Sequence, residues 1–325
     1  MSITDIVRQT QSAARMVELQ GVSQRCRDYL VASTAASTAS AYRSDWRHFT
    51  AWCDGQDLES LPAAPETVAH YMAVLAETHK PATLTRRAAS ISVNHQAVGY
   101  EPPTRAAVVQ NVLKGIRRTK STAPAAKAPL TVDDLRVISR NHLPNGAKGT
   151  RDRALLLLGF AGAFRRSELV GIDREHVEFV PEGVVITLLR SKTDQEGAGR
   201  KVAVPYGHHS ETCPVRALTA WLAAAQITSG PVFRRVDRHG NIGVARLTGK
   251  AVSLTVKHYM AAIGKDPAAY AGHSLRSGFA TAAARGGASE RAIMRQTGHK
   301  SEAMVRRYIR DGNLFRANAA SVVGL

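Results

Sequence analysis

The sequence predicts a mainly α-helical protein of two domains, the second of which contains a small antiparallel β-sheet. Three observations lead to this fold class. The chain has 325 residues, enough for two domains of ordinary size. Apolar residues recur every three or four positions through most of the chain, which is the spacing of amphipathic helices. Alternating apolar and polar residues, typical of strands, stand out only between residues 176 and 205.

The first 120 residues predict an all-helical domain. A helix over residues 39–54 would carry Tyr42, Trp46, Phe49 and Cys53 on one apolar stripe. Three more helices are predicted in this domain, one starting at Pro65 and the others over residues 83–98 and 104–118.

A linker is predicted over residues 121–129, because this stretch lacks large apolar side chains and contains Pro124 and Pro129. Directly after it, Thr131 and Asp134 have the spacing of a capping box that starts a helix. We therefore expect an N-terminal helical domain over residues 1–120 and a second domain over residues 130–325.

The second domain is predicted to be helical on both sides of a three-stranded meander. The helical pattern resumes after Pro214 and is expected to continue to the C-terminus. The predicted strands cover residues 176–180, 183–190 and 200–205.

Composition limits the partners and the compartment. The chain has 44 Lys and Arg residues against 26 Asp and Glu, a formal net charge of +18, which points to a polyanion. Nucleic acid is favoured, and an acidic membrane surface is the alternative. The longest apolar run, residues 154–164, is much shorter than the roughly 20 residues of a membrane span. Three scattered cysteines and no signal segment predict a protein of the reducing cytoplasm, associated with the nucleoid and not with a membrane.

Two of the N-terminal helices present side chains that could lie in a major groove. Arginine, serine and threonine contact phosphates and base edges. The alternative interpretation is a solvated basic face. The candidate DNA-binding residues are Ser40, Arg43, Ser44, Arg47, Thr83, Arg86, Arg87 and Ser90.

Fragments of the second domain combine cations with helix-start or turn signals. Arg165 and Glu168 are three positions apart, so they share one face of a helix. Lys192 lies at the tip of a predicted β-turn. His273 and Arg276 repeat the three-residue spacing. Taken singly, these pairs are ordinary helix ion pairs or caps, and the lysine is an ordinary solubilising residue.

The last fragment places His299 in a turn and Tyr308 nine residues later, in or after the next helix. Together, the arginines, lysine and histidines suit phosphodiester chemistry, because fixed cations stabilise the extra negative charge of the transition state. A tyrosine is a possible covalent nucleophile once a base takes its proton. The sequence has no H-E-x-x-H motif, carboxylate cluster or P-loop, so we expect neither a metal nor another cofactor.

The order and spacing of these fragments resemble the tyrosine recombinase, or phage integrase, family, in particular its simple two-domain Cre-like or Xer-like members. The resemblance implies a site-specific recombinase that cuts and rejoins double-stranded DNA without metal or ATP. By this resemblance, Tyr308 would attack the phosphate and form a 3′-phosphotyrosyl bond. His273 would accept or relay the tyrosine proton, and Lys192 would protonate the departing 5′-hydroxyl.

The resemblance also implies roles for the other site residues. Arg165 and Arg276 would bind the non-bridging phosphate oxygens, and His299 would hydrogen-bond the phosphate. Glu168 would orient the site without reacting. Arg165, and not the adjacent Arg166, is assigned to the site by its spacing to the Ser-Glu-Leu that follows.

The sequence leaves open how the C-terminal segment packs and which biological task the protein performs. The family's C-terminal helix docks on a neighbouring subunit, which implies a homo-tetramer on two DNA sites; here the helix could instead pack on its own domain. Alternative functions are a type IB topoisomerase, a telomere-resolving enzyme and a non-catalytic integrase-derived accessory protein. The need for accessory proteins is left open. The apolar residues of this segment are Leu314, Phe315, Ala319, Val322 and Val323.

Overall fold

The computed structural model describes residue 29 and residues 33–120, 127–189, 199–299 and 301–312. The chain divides into two compact units, residues 1–125 and 126–325. Helices predominate in both, and two small antiparallel sheets lie in the second unit. The predicted fold class is therefore confirmed. Among the residues described, none of the helices combines the length and apolar character needed to cross a membrane.

In the described part of the first unit, four helices lie at nearly the predicted bounds: α1 (Ala36–Asp54), α2 (Pro65–Ala76), α3 (Pro81–Ala97) and α4 (Ala107–Thr119). Pro65 and Pro81 lie in the first turn of α2 and α3, where the missing proline N–H removes no helical hydrogen bond. The apolar faces of the four helices enclose a core that includes Phe49, Tyr71 and Leu84.

The second unit starts with three helices, α5 (Val132–Asn141), α6 (Ala147–Ala161) and α7 (Arg166–Gly171). The capping box before α5 is confirmed: Thr131 Oγ1 accepts the Asp134 N–H at 3.1 Å, and Asp134 Oδ2 accepts the Thr131 N–H at 2.9 Å. Helix α6 is buried along most of its length, because the long apolar run of the sequence lies in it.

The predicted meander is confirmed as an antiparallel sheet of three strands, β1 (Val177–Val180), β2 (Gly183–Leu188) and β3 (Arg200–Pro205). Strand β2 lies between β1 and β3. Ile186 of β2 lies opposite Val177 of β1 and Val202 of β3, so apolar side chains meet on the inner face.

The expectation of an uninterrupted helical pattern after Pro214 is wrong. A second hairpin, β4 (Arg234–Val236) and β5 (Ile242–Arg246), follows helix α8 (Pro214–Ala224). The Asp237 carboxylate accepts the backbone N–H groups of His239 and Asn241, which folds the connecting turn. The strands are short and mostly exposed, so they lack the apolar alternation that marks a half-buried strand.

Four more helices follow in the described part of the unit: α9 (Gly249–Ala262), α10 (His273–Arg285), α11 (Glu290–Thr297) and α12 (Glu302–Gly312). Helix α10 contributes Leu275 to the large core that includes α6, α8, α9 and the meander. A separate small core consists of Ala280, Ala284, Ile293 and Val305, from α10, α11 and α12. In the described part of the chain, this core is much smaller than the large one.

Candidate active site

Arg165 and Glu168 lie at the start of helix α7. Glu168 Oε2 accepts the backbone N–H of Arg165 at 2.8 Å, and Oε1 accepts from Arg165 Nη1 at 2.6 Å. The Glu168 side chain is 1% exposed, so its charge is balanced within the protein. One carboxylate thus caps the helix and orients the guanidinium. The neighbouring Arg166 is exposed and lies beside Gly249 and Gly272, away from Glu168.

Arg276 lies in the first turn of α10 and is 1% exposed. Its Nη1 donates to the Ala163 carbonyl at 2.8 Å, whereas its Nη2 has no hydrogen-bond acceptor among the described residues. Burial, and then the positive charge of Arg165, lowers the pKa of Arg276 to about 10. It therefore stays charged at neutral pH, with a donor available for a ligand.

Arg200, on β3, is a site residue that the sequence analysis missed. Its Nη1 donates to the Gln296 carbonyl at 3.1 Å, and its Nη2 lies 3.6 Å from Glu168 Oε2. Burial lowers the pKa of its guanidinium, although Glu168 opposes this shift. The sequence did contain a signal, because Arg200 shares the inward-facing positions of the strand with Val202 and Val204.

Gly298 follows α11 and explains how Arg200 comes so close to the C-terminal helices. Its φ of +66° is in the left-handed region that favours glycine. A Cβ at this position would also lie 2.8 Å from Arg200 Nε. Conformation and space therefore both require glycine directly before His299.

His273 and Tyr308 are brought together from α10 and α12. His273 Nε2 lies 3.0 Å from Tyr308 Oη, a hydrogen-bond distance. Partial exclusion of water and the charges of Arg276 and Arg165 lower the pKa of His273. A neutral His273 ring can accept the Tyr308 proton.

His299 is buried at the edge of the same site. Its Nδ1 lies 2.8 Å from Thr297 Oγ1, and its ring centroid is 5.9 Å from that of Tyr308. Burial is the main reason that the pKa of His299 falls to about 4, and Arg276 and Arg165 add to it. The imidazole is therefore neutral at physiological pH.

The described part of the site carries excess positive charge. The guanidinium groups of Arg165 and Arg200 pair with the carboxylate of Glu168, and the charges of Arg276, Arg165 and Glu168 also act on one another. In the described part of the chain, the buried Nε of Arg200 also lacks a hydrogen-bond acceptor, and its Nη2 has the 3.6 Å ion-pair contact with Glu168 but no hydrogen bond. Buried polar groups are normally satisfied, so unpaired donors next to excess positive charge indicate an anion as ligand. Residues 33–120, 127–189, 199–299 and 301–312 contain no group of three or more His, Cys, Asp or Glu arranged to hold a metal.

Two predicted features lie outside the described residues. Lys192 falls between residues 189 and 199, and the apolar C-terminal segment begins after residue 312. Their proposed roles therefore stay predictions.

The structure corrects two of the eight candidate DNA-binding residues. Arg87 is 8% exposed, and its Nη1 donates to Tyr71 Oη at 2.5 Å. Ser90 is fully buried and donates to the Tyr42 carbonyl at 2.8 Å. Both side chains lie inside the first unit, where packing of α3 on α1 and α2 excludes DNA.

The remaining six candidates are accessible to different degrees. Ser40, Ser44 and Arg47 are exposed on α1, and Arg86 is exposed on α3 although its Nη1 also lies 2.6 Å from Asp45. The half-buried candidates are Arg43 and Thr83.

Comparison with known proteins assigns this architecture to a family. Residues 130–313 match the model described as the phage integrase family. The integrase/recombinase xerD homolog of Selenomonas ruminantium is 43% identical over 309 residues, which cover 94% of this chain and 91% of the relative. The recombinase cre of Escherichia phage P1 is 25% identical, over 82% of this chain and 81% of the relative.

Solved structures share the fold at low sequence identity. The XerH site-specific recombinase bound to palindromic difH substrate has a TM-score of 0.66 and 14% identity, covering 98% of this chain and 94% of that chain. A lambda integrase dimer bound to a COC′ core site has a TM-score of 0.54 and 16% identity, covering 96% of each chain. With the family match and the 43% identical relative, these findings show that the chain belongs to the phage integrase family and is a Xer-type tyrosine recombinase, an enzyme of site-specific DNA strand cleavage and rejoining.

Proposed function

We propose that Tyr308 is the nucleophile of this recombinase and that it forms a 3′-phosphotyrosyl bond with double-stranded DNA. Tyr308 Oη bonds to phosphorus, the bond from phosphorus to the 5′-oxygen breaks, and the phenol proton moves to His273 Nε2, 3.0 Å away. The new ester keeps the energy of the broken one. A 5′-hydroxyl from a second strand can then reverse the step, which exchanges strands without ATP.

The arginines would act on the phosphate. Its transition state carries more negative charge than the ground state, so buried cations in fixed positions lower the barrier. We assign Arg165 and Arg276 to the non-bridging oxygens. Glu168 would orient Arg165 through the two hydrogen bonds that it accepts from that residue.

The remaining roles follow from the family resemblance. His299 would hydrogen-bond the phosphate from the side of the site where its ring lies beside Tyr308. Lys192 would give a proton to the departing 5′-oxygen. This completes the proton balance, because one proton leaves the phenol and another joins the 5′-hydroxyl.

The observation that carries this proposal is the contact between Tyr308 Oη and His273 Nε2 beside the buried Arg276. The test is covalent trapping. Purified protein is mixed, in EDTA, with fragments of DNA flanking its own gene, and retained fragments are then supplied as nicked suicide substrates. We expect a protease-sensitive DNA–protein adduct that disappears in Tyr308→Phe.

Tyr270→Phe is the matched control, since Tyr270 lies in the core of the same unit and its hydroxyl contacts Lys265, which is not a candidate site residue. It should form the adduct at the wild-type rate. An adduct that survives in Tyr308→Phe would disprove the nucleophile. DNA binding without any adduct would favour the non-catalytic accessory protein.

We further propose a homo-tetramer on two DNA sites, in which the segment after Asn313 docks on a neighbouring copy. A groove of about 410 Å³ in the second unit offers an apolar acceptor surface. Its lining includes Ala161, Ala203, Pro205, Phe279, Ala283 and Ala292.

Truncation after Asn313 tests the assembly. We expect tetramers on DNA to be lost in sedimentation and crosslinking, while a single copy still binds its site. A truncated chain that keeps its tetramers but melts at a lower temperature would instead show that the segment packs on its own domain.

We also propose that the enzyme acts in the cytoplasm with the nucleoid, where its DNA lies.

The accessible residues of α1 and α3 are proposed to contact DNA. Arg47→Ala should weaken binding and reduce its salt dependence, because one phosphate contact would be lost. Arg105→Ala, a change at an exposed arginine paired with Glu101, is the control and should leave both unchanged. Equal effects of the two variants would contradict the assignment of this face.

A further inference from the structure

Thr297 makes two short polar contacts through one hydroxyl. Its Oγ1 lies 2.7 Å from the carbonyl oxygen of Ile293 and 2.8 Å from Nδ1 of His299. Thr297 is fully buried and His299 is 8% exposed. Solvent therefore does not compete for either contact.

A hydroxyl carries one proton, so only one of these contacts can receive it. If Thr297 donated to His299 Nδ1, its oxygen would face the Ile293 carbonyl oxygen at 2.7 Å with no proton between two acceptors. If Thr297 donates to Ile293, the second contact is satisfied by His299 donating its Nδ1–H to Thr297 Oγ1. Only this second arrangement places a proton in both contacts.

We propose that Thr297 is a positioning residue that holds His299 in the Nδ1–H tautomer, so that His299 binds the scissile phosphate only after its Nε2 takes up a proton from solvent. The inference concerns the site of the proposed function and deepens it. A neutral Nδ1–H imidazole presents a bare Nε2, which is an acceptor. A phosphate oxygen is also an acceptor, so the contact needs the second proton.

The surroundings of His299 oppose that proton until an anion arrives. Arg276, Arg165, His273 and Arg200 face the ring, and Tyr308 packs beside it. Burial and these groups lower the pKa of His299 to about 4. A phosphate adds negative charge next to the ring and favours the imidazolium. DNA binding and protonation of His299 are therefore coupled.

The tautomer is measured directly on the full chain. Histidine-labelled protein is examined by long-range ¹H–¹⁵N correlation at neutral pH, with His299→Gln used to assign the signal. We expect Nδ1 of His299 to be protonated and Nε2 to be bare. An Nε2–H tautomer in the wild-type protein would overturn the proposal.

Two substitutions distinguish the effect of the Thr297 hydroxyl from the effect of its side-chain packing. Thr297→Ser keeps the hydroxyl and should preserve the tautomer and the suicide-cleavage rate. Thr297→Val keeps the shape but removes the acceptor, so the Nδ1–H preference should be lost and cleavage should fall about fivefold. A Val variant with the wild-type tautomer would disprove the role of Thr297. If Thr297→Val fails to fold, Thr297→Ser provides the test, because a changed His299 tautomer in a variant that keeps the hydroxyl would also disprove the role of Thr297.

Proton uptake is measured by calorimetry in buffers of different ionisation enthalpy. Tyr308→Phe protein, which should not cleave, binds the duplex recovered by covalent trapping. We expect about one proton more to be taken up than in the Tyr308→Phe, His299→Gln double variant. Equal proton uptake by the two proteins would overturn the proposed coupling between DNA binding and protonation of His299. The proposed nucleophile is tested by a different experiment, the covalent trapping with Tyr308→Phe, so failure of one proposal can be told from failure of the other.

Discussion

The active site has two sides that pack on different hydrophobic cores. We call the side of Arg165, Arg276 and Glu168 the arginine side, and the side of Tyr308 the tyrosine side. On the arginine side, Arg276 and Glu168 are almost fully buried, and Leu169 and Leu275 beside them belong to the large core of the second unit. On the tyrosine side, Tyr308 packs against the small core of Ala280, Ala284, Ile293 and Val305.

The difference fits the roles proposed for the two sides. Charges that stabilise a transition state must be in place before the phosphate arrives, because reorienting them would add to the barrier. A nucleophile must approach and retreat each time a strand is cut and rejoined. Elements that bury little apolar surface open at low free-energy cost. We therefore expect helix α12 to open at a lower free-energy cost than the arginine side.

After loss of the proposed nucleophile itself, substituting the arginine side should have the largest effect. We expect Arg165→Met to slow cleavage about 10²–10³-fold, because a fixed donor to the developing charge is lost. Arg166→Met removes the same charge from the exposed neighbour and should change cleavage less than about threefold. Single-turnover cleavage of suicide DNA measures both. The reverse ranking would mean that Arg166 is the site residue.

Acid should destabilise the protein through His299. Its pKa of about 4 lies below the ordinary value of 6.5, so the unfolded chain binds the proton more readily. The stability contributed by the neutral ring is present above pH 6.5 and is lost as the pH falls toward 4, up to about 3 kcal/mol. Denaturant unfolding against pH measures this loss. His299→Gln should flatten the profile between these pH values, and an unchanged slope would contradict the shift.

Arg200 joins the two sides, so its loss should affect both. Arg200→Met removes the donor to the Gln296 carbonyl and the cation near Glu168, and we expect cleavage to fall about tenfold. Arg246→Met is the control, because Arg246 also lies on a strand of this unit and also donates to a backbone carbonyl and to a carboxylate. If both variants lose cleavage only in proportion to a lower melting temperature, Arg200 has no specific role.

The smallest effect is expected from the small core that packs against Tyr308. Val305→Ala should destabilise α12 locally by about 1–2 kcal/mol and slow cleavage about threefold. Val256→Ala, an equally buried change in the large core, should lower global stability instead. Hydrogen exchange of α12 amides distinguishes the two. Faster exchange throughout the unit in Val305→Ala would mean that the small core is not independent.

Local sequence rules predicted the secondary structure where one strong pattern was present. The capping box of Thr131 and the three strands of the meander are examples, since capping and alternation depend on near neighbours. The β4–β5 hairpin was missed because its strands are exposed and its turn is made by the Asp237 carboxylate. Arg200 was overlooked because a charged residue in a strand signals a site only when its inward direction is considered.

The sequence by itself determined the chemistry, because phosphodiester exchange requires particular residue types, and their order along the chain identified Arg165, His273, Arg276 and Tyr308 as candidates. Only the tertiary structure decided which similar residues share that site. Arg200, which local spacing did not single out, lies 3.6 Å from Glu168, whereas the candidate Arg87 is buried by helices distant in sequence. Burial depends on long-range packing, which no local spacing encodes.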